Sequence, residues 1–100
     1  MNSHAQVMDA LAQANHVRLT RAQIKREIAS GELTVAEVLR DPPAETHNMA
    51  IADLLRAGKG WGQTRVGKFC RVLAIPESRE LERLARWQVA AIVRALERNA

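Results

Sequence analysis

One hundred residues fit a single domain with a small core, and a 47% hydrophobic fraction argues against a chain disordered throughout. No apolar stretch reaches the length of a membrane span, and Cys70, the only cysteine, excludes an intrachain disulfide and fits a reducing compartment. The net charge of +4 is unevenly spread. Arg18 to Arg26 holds four cations and no acid, and Leu54 to Pro76 holds five cations and no acid. The other residues carry six cations and all eleven acids. Two basic segments on an otherwise acidic chain suit a nucleic-acid binder, although basic runs also occur as plain solvated helix faces.

Ala, Leu, Arg and Glu dominate, which favours helix. The first helix is expected from about Ala5 to Ser30, with a break near Asn15-His16. Val17, Ile24 and Ile28 share its packed face, with Arg18, Arg21 and Lys25 beside them. Gly31 is placed to end it. Residues 1–16 read as an N-terminal helical extension, mobile because their apolar pattern is weak, and 17–100 as the domain proper. The opening from Met1 to Gln6 lacks the basic and apolar regions of a signal peptide, so a cytoplasmic protein is expected.

Thr34-Val35-Ala36-Glu37 is a capping box for a short second helix that buries Val35, Val38 and Leu39. Asp41-Pro42-Pro43 stops it. A polar stretch through Asn48 leads to a third helix marked by Met49, Ile51, Leu54 and Leu55. A glycine-rich run, Gly58 to Lys68, comes next. The fourth helix begins at Gly62 or Gln63 and runs to about Leu73, with Val66, Phe69, Cys70 and Leu73 inward. Ile75-Pro76 closes it, and Ser78 is expected to cap a short turn through Leu81 and Leu84. The last helix covers about Arg86 to Arg98 and buries Val89, Ile92, Val93 and Leu96. Nothing reads as a strand, so the fold class is all-α.

The glycine run is the most telling feature. It carries Lys59, Arg65 and Lys68 and no carboxylate. Glycine lets a backbone approach a partner closely, and a helix opening at Gly62 presents N–H groups that lack intrahelical partners. Free N–H groups, a positive helix end and nearby cations make an anion site, here for nucleic-acid phosphate. Gly60 to Thr64 would supply the N–H groups, while Lys59, Arg65, Lys68 and Arg71 supply charge. The bland alternative is a structural αα-turn. Trp61, between two glycines, reads first as a plug of the hairpin core and second as a wedge against a sugar or base step. Trp87 likewise reads as packing.

An apolar helix end, a Gly-x-Gly-apolar-Gly loop and a following helix form a pattern seen in hairpins that grip DNA backbone. Beyond it, Arg21-Ala22-Gln23-Ile24-Lys25, Gly31 with Leu33 to Leu39, Met49 to Leu55, Gly58 to Phe69 and Leu73 to Arg79 follow in an ordered set. Through Leu84 and Gln88, this set resembles the actinobacterial integration host factor family of the mycobacterial and Streptomyces type. The resemblance covers about three quarters of the chain. It implies a helix–two-turn–helix core and a nucleoid-associated protein that binds double-stranded DNA with weak sequence preference. It further implies roles in DNA topology or in site-specific recombination beside a phage or element integrase. It places backbone contacts at Lys59, Gly60, Trp61, Gly62 and Gln63, and charge at Arg65, Lys68 and Arg79. The chain departs from the family at Arg79-Glu80, where two adjacent arginines are usual, and at Arg83-Leu84-Ala85, where Gly-Leu-Gly is usual. Arg83 and Arg86 are the candidates to replace lost charge at a second contact, and the departures fit either a divergent paralogue or a mobile-element version.

No enzyme, cofactor or metal is expected. His4, His16, His47 and Cys70 make no metal spacing. Gly62 to Lys68 superficially resembles a phosphate-loop lysine motif but lacks a hydroxyl residue after Lys68 and a preceding strand. The expected partner is double-stranded DNA, bound by a monomer in the nucleoid, with Arg18, Arg21 and Lys25 on the same or a neighbouring strand. The rivals are a structured-RNA binder and a protein-interaction accessory of a recombination complex. The last helix, read as acidic and apolar, would carry the second of these.

Overall fold

In the computed structural model, residues 3–98 are described. Residues 1–2 of the expected extension and 99–100 of the expected domain lie outside them. Five α-helices follow in order: α1 (His4–Ser30), α2 (Val35–Arg40), α3 (Ile51–Arg56), α4 (Gln63–Val72) and α5 (Arg86–Arg98). Two 3₁₀ turns, Ala44–Thr46 and Leu81–Arg83, join them. Among the described residues there is no strand, and one isolated bridge pairs Ala50 with Glu80. The all-α fold expected from the sequence is what forms.

The expected break in α1 does not occur. No Gly or Pro interrupts the helix, and its start is fixed by a capping box that the sequence reading passed over. Ser3 accepts from the Gln6 N–H while Gln6 accepts from the Ser3 N–H. The helix ends at Gly31, which takes the left-handed conformation at φ 87°. Residues 4–15 are exposed on every side, so the body begins where His16 meets Glu45 at 3.0 Å. At 27 residues the helix is about 40 Å long, which accounts for most of the molecule's 51 Å extent.

The core is built by Ile24 and Ile28 of α1, Val38 and Leu39 of α2, Met49 and most of α3, Val66 and Cys70 of α4, Ile75, Leu81 and Ile92. Val35 lies half-buried against it. The Thr34 capping box forms as expected, with Glu37 N–H donating to Thr34 Oγ1 at 3.1 Å. Thr46 is fully buried and donates its hydroxyl to the Pro43 carbonyl at 2.7 Å, which removes the cost of an unpaired buried group.

Three expectations about the C-terminal third are corrected. Ser78 caps nothing: it sits in a turn closed by Arg79 N–H to the Pro76 carbonyl, and Glu80 precedes the 3₁₀ turn with no side-chain cap. The buried face of α5 is Gln88, Ile92 and Ala95, with Val89 and Leu96 packed beside it and Val93 outside the core cluster. Gln88, on the buried face, folds back to accept from the Ala85 N–H at 2.8 Å at the helix start. Trp87 lies in solvent at 68% exposure, so the expected packing role for Trp87 fails.

Main-chain bonds sew the segment after α4 to the start of α3. Ile51 N–H donates to Arg79 and Ala52 N–H to Glu77, while Leu81 N–H donates to Met49.

Candidate nucleic-acid interface

α3, the glycine loop and α4 form a helix–turn–helix hairpin. Leu54 and Leu55 are wholly buried and anchor the first arm. The loop turns through Gly58 N–H to Leu55 and Trp61 N–H to Gly58, at 3.1 and 3.0 Å. Its glycines serve different ends. At Gly58 a Cβ would come within 2.9 Å of the Trp61 ring, so glycine there makes room for the indole. Gly60 sits at φ 81°, where glycine avoids a Cβ clash. Gly62 has an ordinary extended φ of −84° and nothing within 4 Å of a would-be Cβ.

Gly62 is the N-cap of α4 and offers no side chain to its first turn. The N–H groups of Gln63, Thr64 and Arg65 therefore face solvent at the positive end of a ten-residue helix. The Trp61 N–H is spent inside the loop, so the N–H set presented outward is smaller than expected from the sequence.

Lys59, Gly60, Gly62, Gln63, Thr64, Arg65, Lys68 and Arg71 are all exposed on this hairpin. Arg65, Lys68 and Arg71 follow at every third position, so their charges spiral along the outer side of α4. Lys59, Lys68 and Arg71 make no ion pair among the described residues. Arg65 stacks its guanidinium over Trp61 at 4.0 Å from the ring centre and donates to the Gly60 carbonyl at 3.4 Å. Trp61 is half-buried against the core and meets Phe69 edge-on at 5.1 Å.

The α1 cations are differently engaged. Lys25 pairs with Asp53 of α3 at 2.9 Å, and Asp53 also meets Arg56 at 3.7 Å. Arg21 donates to the Glu45 carbonyl, and Arg18 to Asn15 one turn earlier at 2.7 Å. The Lys25 and Arg21 contacts tie α1 to the body rather than to the glycine loop, while the Arg18 bond stays within α1. Arg79 is half-buried and makes no ion pair among the described residues, and its segment is held by main-chain bonds to α3. Arg83 pairs with Glu80 at 3.5 Å. Ala85 keeps a negative φ, so this backbone does not need glycine there.

The helix read as acidic is basic: α5 carries Arg86, Arg94 and Arg98 against Glu97 alone. Sequence reasoning also missed a groove between α4 and α5, walled by Trp61, Phe69, Val72 and Leu73. The spacing of Trp61, Arg65, Lys68 and Val72 along one helix side was the signal available for it.

Burial holds the Cys70 thiol above its ordinary pKa, with the Glu77 charge adding to the rise, so it is no ready nucleophile. Among the described residues no three metal-type ligands cluster, and no helix is long and apolar enough to cross a membrane.

No family model matches the chain, and no curated protein matches it. One solved structure does, described as "Structure of sIHF bound to an 8bp palindromic DNA". It aligns with a TM-score of 0.79 and 26% identity over 84% of this chain and 97% of that one. The chain is thus similar in fold to an integration host factor-type protein over nearly all of that protein's length.

Proposed function

We propose that this chain is a non-enzymatic, double-stranded DNA-binding protein of the integration host factor type, gripping backbone with little sequence preference. The observation that carries the reading is the uncapped start of α4 beside exposed Lys59, Lys68 and Arg71, on a fold shared with a protein solved on DNA. N–H groups and cations contact phosphate, which positions a protein without reading sequence. Arg18 and Arg21 keep their charge for a neighbouring strand, since their acceptors are uncharged, whereas Lys25 shares Asp53. Arg79 extends the same surface.

In this reading the chain is a monomer of the nucleoid, of actinobacterial type, and acts on DNA topology or on recombination beside an integrase. Residues 17–100 are the DNA-binding domain and 1–16 an extension to it.

The test is binding to a random-sequence duplex across a salt series. About five phosphate contacts give a slope of log K against log salt near −4 to −5. The Arg65→Glu/Lys68→Glu variant should lose binding. Salt-independent binding, or a variant that binds as well as the parent, would refute the clamp.

A further inference from the structure

The groove between α4 and α5 has a volume of about 290 Å³. Its wall is the Trp61–Phe69 aromatic pair continued by Val72 and Leu73. Ala95 closes the far side and, being small, leaves the space open. Arg65, Lys68 and Arg98 stand around it, and no acidic side chain of the described residues lines it. Val72 is 79% exposed, a large apolar surface left in water.

That chemistry is specific in kind. Aromatic and aliphatic walls suit a flat ring, and a cation rim with no acid suits an anion attached to it. The volume lies at the low end of ligand pockets, too small for a folded peptide element. Two rim cations, Arg65 and Lys68, belong to the surface already assigned to phosphate. The groove therefore begins where the backbone clamp ends.

We propose that this groove takes an unpaired nucleobase next to a duplex held at the start of α4, so that the protein prefers DNA carrying an extrahelical nucleotide. The proposal rests on the DNA-binding reading. The base stacks against the Phe69 and Val72 wall, and its phosphate lies between Lys68 and Arg98. Among the described residues, the Trp61 indole N–H is the one neutral hydrogen-bonding group on the lining, too little to tell the four bases apart, so any base is accepted and purines bind best by stacking area.

The experiment compares three duplexes of one sequence by fluorescence anisotropy: fully paired, with one unpaired adenine, and with an abasic residue at the same bulge. The abasic duplex is as deformable as the adenine one but has nothing to stack. The protein should bind the adenine bulge about tenfold tighter than the other two, the effect of one stacked base. Val72→Asn, at an exposed position outside the core, should erase that ratio and leave paired-duplex affinity unchanged.

Equal affinity for the adenine and abasic bulges would overturn the proposal, as would a ratio unchanged in Val72→Asn. Loss of paired-duplex binding with the adenine preference kept would sink the clamp and spare the groove. Binding of paired and abasic duplexes alone would do the reverse.

Discussion

Arg65 lies across Trp61, 4.0 Å from the ring centre, and its reach to the Gly60 carbonyl pins the guanidinium over the loop that precedes its own helix. A flexible cation at a helix start becomes a fixed one. A fixed cation loses less side-chain freedom on meeting a phosphate.

Arg65→Lys tests that relationship because it keeps charge and removes the planar stack. An exposed cation–π contact is worth about 0.5–1 kcal/mol, so duplex affinity should fall about two- to fivefold with an unchanged salt slope. A titration of the variant at two salt concentrations decides it. Unchanged affinity would mean the arginine acts by charge alone, and a lower slope would mean the lysine no longer reaches the phosphate.

Gly62 separates fold from binding. Its φ is ordinary and a Cβ would meet open space, so Gly62→Asp should fold. The new carboxylate would cap α4 and sit at the positive helix end, raising stability by about 0.5 kcal/mol. It would also repel phosphate and abolish duplex binding. Urea denaturation and anisotropy on one sample give the two opposite signs, and a stable variant that still binds would remove the α4 start from the interface.

Ala74 holds a φ of 56°, the one non-glycine residue among those described in the left-handed region. It ends α4 with two bonds, from its own N–H to Arg71 and from Ile75 N–H to Cys70. Ala74→Gly removes the Cβ strain but loosens the unfolded chain, so the net gain is about 0.5–1 kcal/mol. Thermal unfolding should show a higher midpoint, and a lower one would refute the assignment of strain.

Glu45 is held below the ordinary glutamate value of 4.5, first by hydrogen bonding to its own backbone and then by the His16 side chain. A carboxyl whose folded pKa is depressed stabilises the fold in full above its unfolded value. The contribution fades as pH falls through the folded value. His16→Ala should move the Glu45 midpoint back up and narrow the acid range over which α1 stays docked. Carboxyl NMR titration reads the midpoint directly, and no movement would place the cause in the backbone alone.

The parts legible in the sequence are those where local chemistry decides. Thr34-x-x-Glu37 and Gly31 mark helix ends through groups close to them in the chain, and both appear as read. Trp87 was not legible, because α5 turns the polar Gln88 beside it into the core and leaves the indole in water, against the order that hydrophobicity alone suggests. Ala74 was hidden for another reason: alanine seldom adopts a left-handed φ, and only the buried Ile75 beyond it enforces that conformation. In the candidate site, the glycine loop and the α4 cations were visible as composition. That Lys25 answers Asp53 was not visible, since their partnership joins elements 28 positions apart.

The Ala50–Glu80 join gives the molecule a built-in ruler. The stretch bearing Arg79 hangs from the same backbone that begins α3, and α3 leads straight into the glycine loop. Spacing between Arg79 and the loop is set by peptide hydrogen bonds, which side-chain substitutions leave in place. A double helix therefore meets both at one preset interval, and drift of the surrounding sequence can alter how hard each end presses without changing how far apart they stand.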